Sequence, residues 1–235
     1  MKISLFALGI LFCLQAQADV SANLNFTDNY VYRGISNSNN GPAIQGGIDY
    51  YNALGLYAGV WATSMDFQLP DGDPSYEFDI YGGVTGEFAS INWDIGFLRF
   101  TYPNAASKWK LDAHEFHLGL SKAINDITIG AVYHYSPDYS GAGHSHYIET
   151  NIDLPLPYEF NLALHAGHQT FANNVWYGLP DYTDWRIAVG RDIAGFQVAL
   201  GWTDTDVNNN DACFFGTDWC DSTFSIDVRT DFQLF

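Results

Sequence analysis

The sequence has little positive charge, little cysteine and no apolar run long enough to cross a membrane as a helix. Nine Lys+Arg stand against 27 Asp+Glu in 235 residues, a formal net charge of -18. Nucleic acids are held by Lys/Arg surfaces facing their phosphates, so this balance excludes them as partners. Charged residues are only 15% and hydrophobic ones 47%, which excludes a disordered chain. A membrane helix needs about 20 mostly apolar residues in a row. Only residues 3–14 approach that, and the mean hydropathy is -0.09, so a bundle of membrane helices is excluded.

That one apolar stretch has the anatomy of a targeting signal. Met1-Lys2 is a short basic start, Ile3 to Leu14 an apolar centre, and Ala16-Gln17-Ala18 an A-x-A cleavage site. The expectation is a signal peptide over residues 1–18 and a single domain over 19–235. A lipoprotein would need a small residue before its modified cysteine, and Phe12 precedes Cys13. Cys13 leaves with the leader, so Cys213 and Cys220 remain. An even pair in an exported chain predicts a disulfide that staples a small loop. Two cysteines with no nearby histidine make a poor zinc site.

Aromatic residues are abundant at 17%, with 22 glycines, and they are distributed in alternation. Val20, Ala22, Leu24 and Phe26 share one face, and Ser21, Asn23, Asn25 and Thr27 share the other. Successive strand side chains point to opposite faces, so this is a strand with one greasy and one wet side. The same pattern recurs near residues 44–50, 56–63, 76–85, 91–97, 115–121, 127–134, 148–154, 160–167, 184–190, 196–203 and 224–231. About twelve strands are therefore expected.

Their connections alternate in length. Long ones fall near residues 34–42, 66–75, 103–113, 136–146, 171–183 and 204–222, and short ones near 52–55, 86–90, 122–126, 155–159 and 191–195. Outer-membrane barrels have long outer loops and short periplasmic turns. The predicted fold class is all-β: a transmembrane antiparallel up-and-down β-barrel of about twelve strands in a Gram-negative outer membrane. Tyr30, Tyr32, Trp61, Tyr102, Trp109, Tyr133, Tyr135 and Trp202 lie near the long-loop ends of strands and are expected in an aromatic girdle. A terminal aromatic such as Phe235 is typical of outer-membrane barrels, whose last strand the assembly machinery is expected to read. Phe235 is out of step with Phe224, Ile226, Val228 and Phe232, so either a bulge intervenes or it does not face lipid.

The run Asn29-Tyr30-Val31-Tyr32-Arg33-Gly34-Ile35-Ser36 is followed by Pro42-Ala43-Ile44-Gln45-Gly46-Gly47 and Gly59-Val60-Trp61-Ala62-Thr63-Ser64. Glu77-Phe78-Asp79-Ile80-Tyr81-Gly82-Gly83 and Tyr102-Pro103 complete it. In order and spacing these segments, over residues 20–103, resemble the TorF-like family of outer-membrane porins. The resemblance implies an outer-membrane location and a porin-like barrel, and it supplies no solute.

The wet face of the strands is expected to line the lumen, because charge on the lipid side costs about 2–4 kcal/mol for Arg or Lys at midplane. Candidate lumen or constriction residues are Arg33, Asp49, Glu77, Asp79, Asp94, Glu115, Arg186 and Arg229, with Glu149, Asp153, Asp184, Asp227 and Asp231 on the same face. A carboxylate-rich lumen favours cations. The competing reading is that these acids pair with arginines and tyrosines and plug the interior. Arg33 is expected to line a constriction opposite Glu77 or Asp79, the alternative being an interfacial arginine on lipid headgroups. Arg99, on the greasy face, reads as an interfacial anchor, and His114 and His117 as solvated rim residues.

No cofactor or metal is implied: His144, His146, His165 and His168 lack a carboxylate at ligand spacing. Ser64, Ser136 and Ser145 lack a G-x-S-x-G elbow, so no enzyme is expected. The function expected is a porin-like ion or solute channel giving passive transport of small hydrophilic solutes, with cation preference as the finer expectation. An outer-membrane enzyme and a plugged structural or adhesive barrel are the alternatives. Partners are outer-membrane lipid, small hydrophilic solutes and barrel assembly machinery, with homo-oligomer formation left open.

Overall fold

The computed structural model describes residues 19–207, 213–214 and 216–235; the expected leader, residues 1–18, lies outside them. Twelve long strands carry the wall. They are β1 (Asp19–Thr27), β4 (Ala43–Tyr51), β5 (Leu56–Ser64), β6 (Tyr76–Phe88), β7 (Ile91–Thr101) and β8 (Ala113–Ile124). β9 (Ile127–Ser136), β10 (Ser145–Pro155), β11 (Phe160–Phe171), β12 (Tyr182–Ile193), β13 (Phe196–Thr205) and β14 (Thr223–Gln233) follow. Each pairs with its sequence neighbour, and β1 pairs with β14, closing the sheet into a barrel. Closure removes the edges that would otherwise leave backbone groups unpaired in lipid. The two remaining strands, β2 (Val31–Tyr32) and β3 (Ile35–Ser36), form a small hairpin of their own.

The amphipathicity is inside out. Leu118 is 46% exposed and Ile129 43%, while Glu115 and Asp94 are 1% exposed. Leu118 lies opposite Ile95 and Tyr133 on the neighbouring strands, so the apolar face continues from strand to strand. An outer surface of this kind is costly in water and matches hydrocarbon.

The loop asymmetry is as expected and sharper. Ala89-Ser90 and Ala194-Gly195 are two-residue turns between strands, with positive φ at both positions. That is the hairpin geometry whose twist matches the strands, and Gly195 adopts it without a Cβ penalty. The strands run longer than the clear alternation, so Ser145 and His146 belong to β10 rather than to a loop: Ser145 is registered with Ser136 and Phe171.

At the chain end, Leu234 and Phe235 both donate backbone N–H groups to the Val20 carbonyl, at 2.8 and 3.4 Å. Two residues opposite one is a bulge, and it accounts for the break in alternation before Phe235. Cys213 and Cys220 form the expected disulfide.

The long loops fold back over their end of the barrel. Ile35, Phe100, Tyr139, Phe171, Leu179 and Trp219 belong to one buried apolar cluster there. This corrects the girdle expectation for four residues. Tyr30 meets Trp61 edge-on at 5.8 Å, Tyr32 meets Phe100 at 5.9 Å, and Tyr102 meets Phe67 at 6.0 Å. All sit inside, because the loops that cover the mouth need an apolar underside to pack. Tyr133, 42% exposed, does face outward.

Candidate functional site: a hairpin inserted into an acidic lumen

The β2–β3 hairpin turns on Arg33-Gly34, with φ of 48° and 80°. Gly34 needs both its conformational freedom and its small size. A Cβ there would lie 2.6 Å from the Asp184 Cβ on β12 and from a Thr205 methyl on β13. The turn therefore rests against one wall while Arg33 reaches across to others. Its Nη1 and Nη2 donate to the two carboxylate oxygens of Glu115 on β8, both at 2.8 Å. Nη1 also donates to Gln169 Oε1 on β11 at 3.1 Å, and the guanidinium lies 4.1 Å from the Tyr147 ring centroid. The Arg33 and Glu115 side chains are 5% and 2% exposed. Two-point pairing of this kind is the strong form of an ion pair. Burial works against the Arg33 charge, but Glu115 outweighs it and holds the guanidinium above its ordinary pKa. Arg33 is thus an interior residue, and its partner is Glu115 rather than Glu77 or Asp79. The headgroup alternative is overturned by its burial.

Around Arg33 the wall carries a row of acids and histidines. His134 stands 3.5 Å from Glu115 and 3.1 Å from Glu149. His165 stands 3.3 Å from Glu149 and 3.0 Å from Asp184. Tyr147 donates its hydroxyl to Asp184 at 2.9 Å. His117 contacts Asp94 at 2.9 Å, and Tyr57 donates to the same carboxylate at 3.0 Å. His117 is therefore an interior residue, not a solvated rim residue, because it shares the inward face with Glu115.

Asp49, Glu77, Arg186 and Arg229 make their contacts on the inward face. Asp49 accepts from Tyr81 and from Asn23, the latter at 3.4 Å. Arg186 pairs with Asp227 and Arg229 with Asp231, each at 2.8 Å. Glu77 accepts from the hydroxyls of Tyr30 and Tyr102, both at 3.1 Å. Burial first, and then the Glu77 carboxylate, push the Tyr30 phenol well above its ordinary pKa, so it stays a donor. Arg99 stays on the outer face beside Asp112 at 3.4 Å. On the outer loops Lys108 donates to Asp71 and holds that exposed carboxyl below its ordinary pKa. Among the described residues no three His, Cys, Asp or Glu side chains are arranged to hold a metal ion.

Tyr57, Tyr81, Tyr147, Gln169, His134 and His165 were not foreseen as part of the site. The signal that marks the tyrosines is inward-facing glycine. A Cβ on Gly167 would lie 2.0 Å from the Tyr147 hydroxyl, and one on Gly59 would lie 2.4 Å from the Tyr81 ring. Glycine on the wet face makes room for a ring leaning across from the next strand. Tyr147 cannot swing aside without losing Asp184 and His165. Gly167→Val is accordingly expected to destabilise the barrel by about 1–3 kcal/mol, the usual range for overpacking. Denaturant unfolding in lipid vesicles would measure it.

Residues 15–232 match the model of a family described as "Bacterial protein of unknown function (Gcw_chp)". The chain belongs to this family. No curated protein matches it. Among solved structures, this Gcw_chp chain is similar to a KdgM porin in complex with disordered oligogalacturonate. The identity is 7%, the match covers 91% of this chain and 99% of that one, and the TM-score is 0.58. A NanC porin matches at 10% identity over 92% and 100% of the two chains, with a TM-score of 0.57. The COG4313 outer membrane channel from Pseudomonas putida F1 matches at 10% identity over 94% and 97%, with a TM-score of 0.52. At these identities the likeness is one of fold: the Gcw_chp barrel is built as outer-membrane porins are.

Proposed function

We propose that the protein is an outer-membrane channel for passive diffusion of small hydrophilic solutes, with a preference for cations. The observation that carries this reading is the inward face, where Asp49, Glu77, Asp79, Asp94, Glu115, Glu149 and Asp184 surround few cationic side chains. Carboxylate rings select cations by lowering the energy of positive charge along the path. The resemblance to TorF-like porins and the porin fold support the same reading. So does a leader over residues 1–18, which would deliver the chain to the periplasm and the barrel assembly machinery. Lipid would then surround the apolar belt. On this reading the protein works by passive diffusion, without turnover.

Reversal potentials in planar bilayers under a potassium chloride gradient test the proposal. The expected result is a potassium-over-chloride preference that falls when Glu77→Gln and Asp79→Asn are combined. An unchanged reversal potential in the double variant removes both residues from the permeation path, and a chloride preference in the wild type refutes the selectivity.

A second reading has a specific observation behind it. The β2–β3 hairpin and the apolar loop cluster occupy the long-loop end of the barrel. A wild-type barrel without conductance in the same bilayers would favour a plugged structural role over transport.

A further inference from the structure

Most interior acids have a cationic or histidine partner, as Glu115, Glu149, Asp94, Asp184, Asp227 and Asp231 do. Asp49 and Asp153 are held by neutral donors instead, and Glu77 and Asp79 also lack such a partner while standing two residues apart on the inward face of β6. Among the described residues neither forms an ion pair, although they are 2% and 4% exposed. Glu77 receives only neutral tyrosine hydroxyls. The Oδ1 atom of Asp79 is buried with no hydrogen-bond partner at all. A buried carboxylate oxygen left without a donor is costly, and natural structures reserve that arrangement for groups that meet something else.

What surrounds the pair is aromatic. In the antiparallel register Asp79 lies directly between Trp61 on β5 and Phe100 on β7, so all three share the inward face. Side chains directly opposite one another have Cβ atoms about 4.5–5.5 Å apart. Tyr30 leans edge-on against Trp61, and Tyr102 bonds Glu77 from beyond the end of β7. Two buried carboxyl groups without a cationic partner, set among Tyr30, Trp61, Phe100 and Tyr102, match one ligand chemistry. The rings offer electron-rich faces to a diffuse positive charge and apolar contact to its alkyl groups, while the carboxylates supply the counter-charge.

We infer that Glu77, Asp79 and these four rings form a binding site for organic ammonium cations on the inner wall near the long-loop end. The inference rests on the channel reading for the route by which the cation arrives. A metal ion would suit the site less well, because it would need several oxygen ligands, Trp61 and Phe100 provide none, and the Tyr30 and Tyr102 hydroxyls are engaged by Glu77. The tyrosine hydroxyls that donate to Glu77 orient its carboxyl group, and a bound cation would hold it ionised.

Choline and its neutral carbon analogue 3,3-dimethylbutan-1-ol are the probes. The two have nearly the same shape and differ by one charge. Calorimetric titration of the detergent-folded full-length barrel is expected to show choline binding at least about tenfold tighter than the alcohol. Asp79→Asn and Trp61→Leu should each abolish that difference. Equal affinity for the two probes in the wild type would overturn the inference, and that comparison needs no variant to fold. Binding that survives intact in a well-folded Asp79→Asn would also overturn it. Potassium conductance, recorded separately on the same preparation, keeps the two claims apart. Choline binding without conductance leaves the site standing and removes the channel, whereas conductance without choline discrimination removes the site and leaves the channel.

Discussion

Arg33→Ala is expected to destabilise the folded barrel by about 3–5 kcal/mol, the usual cost of leaving a buried charge without its partner. Glu115 would keep its 2%-exposed carboxylate and lose both guanidinium bonds. His134, at 3.5 Å, cannot supply a two-point partner. The hairpin would also lose its hold on β8 and β11, since Arg33 is its link to Glu115 and Gln169. Conductance is therefore expected to rise in Arg33→Ala as the turn leaves the lumen. Adding Glu115→Gln should recover much of the stability, because the orphaned charge is gone, but should leave the conductance high. Denaturant unfolding of the two single variants and the double, beside bilayer recordings, closes the cycle. Additive stability losses would mean that the pair is not coupled. Unchanged conductance in all three would mean that the hairpin does not obstruct the path.

The second large effect comes from the opposite face. Leu118 sits midway along β8 with its side chain outward, and Ser121 on the same strand points inward. Leu118→Arg is expected to cost about 2–4 kcal/mol in a bilayer, the depth-dependent cost of an arginine at midplane. Ser121→Arg places the same charge in an acidic interior and is expected to cost less than about 1 kcal/mol by the same depth argument. Reversible unfolding in vesicles of defined thickness measures both. Similar losses at the two positions would contradict the assignment of faces.

Those faces were readable from the sequence because alternation is a property of the strand itself. Leu118 and Leu120 against His117 and Gly119 need no knowledge of the neighbouring strands. The loop lengths and the disulfide between Cys213 and Cys220 were readable for the same local reason. The partner of Arg33 was not. Arg33 and Glu115 are 82 residues apart, and their meeting depends on a hairpin folding inward rather than outward. Arg33-Gly34 is a turn signal, and Gly34 is the residue that lets the tip approach β12 and β13. The inward turn itself follows from packing at the mouth, where Ile35 joins Phe100 and Trp219. One histidine, His117, departs from its expected place for a related reason. Its nearness to a loop suggests the rim, whereas its place on the inward face of β8 is what brings it to Asp94. Tyr30 and Tyr102 were read as membrane anchors because aromatics gather at strand ends, and the loops that bury them leave no periodic trace.

Single cysteines at positions 118, 119, 120 and 121 on β8 give the most direct test of the account. Cys213 and Cys220 are locked in their disulfide and do not compete, and Cys13 is replaced by serine in every variant. With the barrel reconstituted in vesicles, a charged, membrane-impermeant maleimide should label Gly119→Cys and Ser121→Cys. A bilayer-dissolved apolar maleimide should label Leu118→Cys and Leu120→Cys. The reverse pattern, with the charged reagent reaching positions 118 and 120, would contradict it.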